Sequence, residues 1–331
     1  MRNIPQPPTK CNGHGACNAR GMDIVPRAPQ RENTVSARRR RWIACRPWAV
    51  VTIAGISLTS FGCASRADSD AEVAAPLAKV CPEVFGGTVD DDSEAIDAVV
   101  EIDIGDPRDP KLCTGALIAP NVVLTARHCV SIAPNKNMDC YSDGSTKEKE
   151  GHITDDVAPE DIHVVVGALP GGGRAYADGV MVYHAEGTNL CNQDIAAVVL
   201  DHTLDGVTPL AVGVAPKASS SIRVTGYGKN DIGCALGTRI RKDAVKVLAI
   251  GPARSSSGVE VGSHEFDVQR SFCDGDSGGP AIDEATGAVV GVVSHGRDCS
   301  RDGGHVYTSL AGFTDLLDRA LKDGATRAAE R

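Results

Sequence analysis

From Ala98 onward the apolar residues come in short runs broken by Gly, Pro, Asn and Asp. Ala98-Val99-Val100-Glu101-Ile102, Ala116-Leu117-Ile118, Val122-Val123-Leu124, His163-Val164-Val165-Val166 and Ile195-Ala196-Ala197-Val198-Val199-Leu200 open the series. Ile222-Arg223-Val224, Ala244-Val245-Lys246-Val247-Leu248 and Ala288-Val289-Val290-Gly291-Val292-Val293 continue it. Runs this short and this rich in Val and Ile predict the strands of an all-β barrel protein. Helical spacing is found only at the end, where Leu310, Phe313, Leu316, Leu317 and Leu321 recur on one face. Residues 63–83 are small and polar with little periodicity and read as a tether or propeptide.

Charge divides the chain unevenly. The 331 residues carry a net −9, yet residues 1–62 alone carry +8, leaving −17 on the remainder. An acidic body is not built for nucleic acid, and the basic stretch reads as a targeting segment. Arg38-Arg39-Arg40-Arg41 forms its basic region and Ala49 to Leu58 its apolar region, which is too short for a stable span. Residues 38–62 are therefore expected to be a signal peptide. The Ser60-Phe61-Gly62-Cys63-Ala64-Ser65 stretch resembles a bacterial lipoprotein signal, with Cys63 the lipidated residue, although Ser60 stands where Leu is usual. Cleavage near Ala64 or Ala75 is the alternative, giving a secreted rather than an envelope-anchored product. Residues 1–37 exceed what such a signal needs and read as an extension or an early start, Met22 being a later one.

Export implies an oxidising compartment. Setting aside Cys11, Cys17, Cys45 and Cys63 leaves eight cysteines, Cys81, Cys113, Cys129, Cys140, Cys191, Cys234, Cys273 and Cys299, an even set that suits a disulfide framework. Spacing alone does not pair them. Cys11, Cys17 and His14 form no metal motif, because no second pair accompanies them.

Three short motifs carry candidate chemistry: Leu124-Thr125-Ala126-Arg127-His128-Cys129, Asn192-Gln193-Asp194-Ile195-Ala196 and Gly275-Asp276-Ser277-Gly278-Gly279-Pro280. Any one alone reads as a turn or a core residue. A serine hydroxyl becomes a useful nucleophile only beside a base, and that base needs a buried carboxylate to orient it. His, Asp and Ser in this order and context resemble the trypsin/chymotrypsin family of serine endopeptidases, over roughly Val84 to the C-terminus.

The resemblance implies two six-stranded antiparallel barrels with a C-terminal helix, divided near Thr208-Pro209-Leu210. Catalytic residues would be Ser277, His128 and Asp194, with the N–H groups of Gly275 and Ser277 as the oxyanion hole. It implies protein or peptide substrates, no cofactor and no metal, and the chain is expected to act as a monomer. Cys113–Cys129 and Cys273–Cys299 are the implied bridges. Cys140–Cys191 is the preferred third, because it would tie the charged Ala133–Ile162 insertion to the strand carrying Asp194, leaving Cys81 with Cys234. The insertion reads as a solvated loop without the acidic spacing of a calcium site.

Val84-Phe85-Gly86-Gly87 matches the family's mature N-terminus, whose freed amine would pair with Asp276 after cleavage by an activating protease. Phe85 departs from the usual aliphatic residue, and Glu83 stands where an activator would need Lys or Arg. Residues 84–331 are thus expected to be the protease domain of a zymogen. The pocket departs from trypsin as well. Ser271 replaces the basal carboxylate, Phe272 narrows the space, His295 replaces the Trp of the Ser294-His295-Gly296 wall, and His305 replaces a Gly. Cleavage after Arg or Lys is disfavoured; either the histidines fill space or His305, with Ser271, reads an acidic side chain. A silent homologue that binds proteins through the same cleft is the competing reading, against which all three motif residues are present.

Overall fold

The structure is a computed structural model that describes residues 87–89, 98–106, 110–133, 138–146, 150–167, 175–229, 237–296, 299 and 302–331. Cys63, Cys81, Glu83, Val84 and Cys234 lie outside these residues, and with them the expected signal, tether, activation site and fourth bridge.

The first barrel contains β1 (Val99–Ile104), β2 (Lys111–Ala119), β3 (Val122–Thr125), β4 (Ile162–Val166), β5 (Ala175–His184) and β6 (Ala196–Leu200). All neighbours are antiparallel, and the closed order is β1-β2-β3-β6-β5-β4. The second contains β7 (Ser221–Gly226), β8 (Ile240–Ile250), β9 (Glu265–Val268), β10 (Pro280–Asp283), β11 (Val289–Gly296) and β12 (His305–Ser309). Its order, β7-β8-β9-β12-β11-β10, repeats that of the first and closes through β10 against β7. The expected pair of six-stranded barrels is thus present, and closure leaves neither barrel core with a free sheet edge.

Burial explains why some runs alternate and others do not. In β4, Ile162, Val164 and Val166 point into the first core while His163 and Val165 do not. β6 is buried throughout: Ala196, Val198 and Leu200 face the barrel interior, and Ala197 and Val199 meet a second cluster outside it. That second cluster includes Val289 and Val292 of β11 and Leu316, Leu317 and Ala320 of the terminal helix α1 (Thr314–Ala329). A strand covered on both faces must read as an unbroken apolar run.

The helix begins later than the leucine spacing predicts. Leu310 to Gly312 form a separate tight turn capped by Ser309 Oγ, which accepts from Ala311 N. The chain then turns at Phe313 and enters α1. Leu310 and Phe313 nevertheless pack in the same cluster as Leu316 and Leu317, which is why one face appeared continuous. α1 lies across the first barrel: Asn121 Nδ2 donates to Gly324 O at 3.0 Å, and a Cβ on Gly324 would stand 2.4 Å from Val122 Cγ2.

Candidate active site

His128 sits in the single 3-10 turn Arg127–Cys129 that follows β3. The turn is short because Cys129 is bridged back to Cys113 of β2, with Cα atoms 6.2 Å apart. Lys111 Nζ, at the start of β2, donates to His128 O at 2.5 Å. Antiparallel pairing sets Thr125, at the end of β3, opposite Ala196, at the start of β6. The residue just ahead of β6 therefore meets the histidine turn, although 66 residues separate Asp194 from His128.

Asp194 is fully buried. Oδ1 accepts from His128 N at 2.8 Å, and Oδ2 stands 2.7 Å from His128 Nδ1. Ser294 Oγ, in β11 of the other barrel, donates to Oδ2 at 2.6 Å. Burial pushes the Asp194 carboxyl up, but the His128 ring, its N–H groups and the Ser294 hydroxyl together hold it below its ordinary value. It is therefore an acceptor for all three donors, and His128 Nδ1 carries a proton. Arg127 is buried alongside and donates through Nη1 to Ala185 O at 2.6 Å. Burial lowers its pKa, against the opposing charges of Asp156 and Asp194.

The Ser277 loop belongs to the second barrel but lies on the first. Thr114 N donates to Ser277 O at 2.8 Å, Thr114 Oγ1 donates to Gly275 O at 3.0 Å, and Gly278 N donates to Val293 O at 2.9 Å. Gly278, at φ +79°, has no room for a side chain: a Cβ would stand 2.1 Å from Thr125 Oγ1 and 2.5 Å from Thr114 O. Gly275, at φ +101°, lies against Gly228, whose Cα would be 2.8 Å from its Cβ. Neither Gly275 N nor Ser277 N has an acceptor among the described residues, so both donors remain for a ligand. Ser277 itself is partly exposed.

Asp276 points the opposite way, into the body. Its carboxylate accepts from Gly228 N and Cys273 N, each at 2.8 Å, and Gly226 and Gly228 pack so closely that a Cβ on either would overlap it. No cation pairs with it among the described residues, and burial raises its pKa to about 7.

The residues expected at the pocket converge and pack against one another. Ser271 is fully buried, and its Oγ accepts from Tyr307 OH at 3.0 Å. The Phe272 ring stands edge-on to the His305 ring at 4.5 Å and reaches the Ser294-His295-Gly296 wall, where a Cβ on Gly296 would be 3.1 Å from Phe272 Cζ. His305 is fully buried, and its Nδ1 accepts from the N–H groups of Ser271 at 3.4 Å and Phe272 at 3.3 Å.

Thus His128 and Asp194 are joined directly, and Ser277, Gly275 and the pocket wall are gathered beside them. The remaining link is open: no hydrogen bond joins Ser277 Oγ to His128 Nε2. Such bonds are often loose without substrate and tighten in the complex. Bridges Cys113–Cys129, Cys140–Cys191 and Cys273–Cys299 are all formed. Two clusters group possible metal ligands, Cys113 with His128 and Cys129, and Cys140 with Glu265 and His295, but every sulfur in them is committed to a disulfide. Sequence reasoning missed the ties that reach Asp194 from the second barrel. The sequence marks Ser294 only as pocket wall and does not mark Glu265, whose Oε1 accepts from Asn192 N at 2.9 Å.

The family model described as Trypsin matches residues 85–317. A protein named Trypsin from Saccharopolyspora erythraea is 24% identical over 250 residues, covering 73% of this chain and 100% of that protein. Trypsin Blo t 3 from Blomia tropicalis is 25% identical over 233 residues, covering 65% of this chain and 79% of that protein. Among solved structures, GrC superposes with a TM-score of 0.53 at 19% identity, over 72% of this chain and 99% of that one. The scabies mite inactivated protease paralogue S-I1 also gives 0.53 at 19% identity, over 69% and 96%. These two likenesses concern the fold alone. With the family model matching most of its length, the chain belongs to the trypsin family of serine proteases.

Proposed function

We propose that this chain is a serine endopeptidase that hydrolyses peptide bonds through an acyl-enzyme. The observation that carries the reading is the bonding of the half-buried His128 to the buried Asp194, beside the Ser277 loop. Ser277 attacks the carbonyl carbon while His128 Nε2 takes its proton, Asp194 holds the ring and steadies its cation, and the free N–H groups of Gly275 and Ser277 receive the developing oxyanion. His128 then gives the proton to the leaving amine, and a water repeats the sequence to release the acid. Residues 84–331 form the peptidase domain, residues 38–62 direct export, and Cys63 is the candidate tether of the product. Cleavage before Val84 frees an amine for Asp276, whose buried carboxyl pairs with no cation among the described residues.

Small, uncharged residues are favoured before the cleaved bond, because Ser271 supplies no carboxylate and is bonded to Tyr307, and the Phe272 ring packs edge-on against His305. His305 Nδ1 already accepts from the amides of Ser271 and Phe272, so that nitrogen is not offered to an acidic side chain. A peptide library should show cleavage after Ala, Ser or Gly well ahead of Arg and Lys, whose charge would be desolvated without a partner. Efficient cleavage after Glu would favour the acidic reading of His305.

A silent protein-binding homologue is the second reading, since one protein of the same fold is named as inactivated. Here the three candidate residues are intact. A fluorophosphonate should label mature protein at Ser277, and Ser277→Ala should abolish labelling and hydrolysis together. Unlabelled, inert wild-type protein would favour the silent reading.

A further inference from the structure

The Asp194 carboxylate ends a hydrogen-bonded path that begins at His295. Ser294 Oγ has one proton and donates it to Asp194 Oδ2 at 2.6 Å, because Asp194 is ionised and can only accept. Ser294 Oγ also stands 3.1 Å from His295 Nδ1. With the hydroxyl proton committed to Asp194, the second contact has one possible direction: His295 Nδ1–H donates to Ser294 Oγ. The path is then His295 Nδ1–H to Ser294 Oγ–H to Asp194 to the Nδ1–H of His128, every donor having one acceptor. A donor pointing at the hydroxyl oxygen polarises it and strengthens the bond it gives onward.

The surroundings keep this path in register. Glu265 lies within 4.8 Å of a ring nitrogen of His295 and also accepts from Asn192 N at 2.9 Å, two residues before Asp194. Its other oxygen accepts from Gly262 N at 2.9 Å. The second barrel therefore reaches the Asp194 turn twice, through Ser294 and through Glu265, and His295 stands between the two.

From this we infer that His295, besides lining the substrate wall, is a positioning residue that acts on the reacting pair through Ser294. The inference rests on the serine-peptidase reading, and the test separates the two. Diisopropyl fluorophosphate reacts with the nucleophile and carries no peptide, so it does not engage the wall formed by His295. Its second-order rate with Ser277, and kcat and KM for a peptide substrate, are measured for wild type, His295→Phe, His295→Leu and His295→Asn. Phe keeps a ring, Leu keeps bulk, and Asn restores a donor near the position of Nδ1. Equal thermal midpoints verify folding of this partly exposed position.

Phe and Leu should slow both phosphorylation and kcat by about three- to tenfold, the loss of one hydrogen bond of ordinary net strength. KM should hold, and Asn should recover to within about twofold of wild type. Phe and Leu variants that react with the phosphorylating agent at the wild-type rate while KM changes would overturn the inference and leave His295 a wall residue. Failure of Asn to recover any rate would also overturn it, since the donor would then not be what matters. Wild type that takes no label overturns the peptidase reading itself, and this inference with it.

Discussion

Gly278 shows how closely a single residue can be constrained. Its positive φ and the contacts its Cβ would make with Thr125 and Thr114 both exclude a side chain. Gly278→Ala should destabilise the fold by about 1–3 kcal/mol. It should also lower the fluorophosphonate labelling rate more than tenfold, roughly what 1.4 kcal/mol of misplacement costs, as denaturant midpoints and labelling kinetics would reveal. The identities of His128, Asp194 and Ser277 were legible because each sits in a short local motif. The role of Ser294 beside Asp194 was not, since 100 residues separate them and only the packing of β11 against the Asp194 turn brings them together. Ser271 and His305, 34 residues apart, come together through the Ser271 and Phe272 amides that donate to His305 Nδ1, and the edge-on approach of the Phe272 ring to His305 is specified by no local pattern.

At the scale of elements, the strands legible in the sequence are those with unbroken or cleanly alternating apolar runs, such as β4 and β6. β5 escaped because Asp178 and Gly179 interrupt it, Gly179 being required where a Cβ would stand 2.5 Å from Pro159 O. β9 escaped because it is Glu265-Phe266-Asp267-Val268, two carboxylates in a buried strand. Backbone and hydroxyl donors satisfy both: Asn192 N and Gly262 N on Glu265, and Gly304 N, Ser255 Oγ and Ser257 Oγ on Asp267. Polar groups so fully bonded can occupy a core, and a hydrophobicity pattern cannot register it. The Cys140–Cys191 bridge fastens the insertion beside the Asp194 turn across a sequence separation of 51. Replacing both cysteines by serine should cost about 4 kcal/mol by loop entropy. Urea midpoints should fall accordingly, and labelling of Ser277 should slow because the turn that holds Asp194 is released.

Across the whole molecule, the two barrels share one strand order and place the candidate residues at their junction, with His128 and Asp194 from the first and Ser277 from the second. Asp276 would couple the distant N-terminus to that junction. In the uncut chain its carboxyl holds its proton up to about pH 7, above the ordinary value of 3.8. The folded state therefore binds this proton more tightly than the unfolded one, and stability falls as pH rises from about 4 to about 7, then levels. A shift of this size is on the order of a few kcal/mol. Uncut wild type should lose urea resistance between pH 4.5 and pH 7.5 (about the flanks of this window) relative to Asp276→Asn. After cleavage before Val84 the amine should stabilise the carboxylate and reverse the comparison. Asp276→Asn remaining as weakly active after cleavage as before it, while wild type gains activity, would mark the pair as the switch; equal gains would refute it.

What the sequence determined by itself was the class of chain: short Val- and Ile-rich runs can bury their surface only as strands, and the three motifs bear residues whose chemistry is local and recognisable. Tertiary structure alone decided how those residues come together. Strand register set Thr125 opposite Ala196 and so carried Asp194 to His128; inter-barrel packing delivered Ser294 and Glu265 to the Asp194 turn; and the Phe272 ring came to stand edge-on to His305. Each of these depends on contacts between segments far apart in the chain. Such contacts are set by how closed sheets pack against one another, and they leave no periodic trace in either segment.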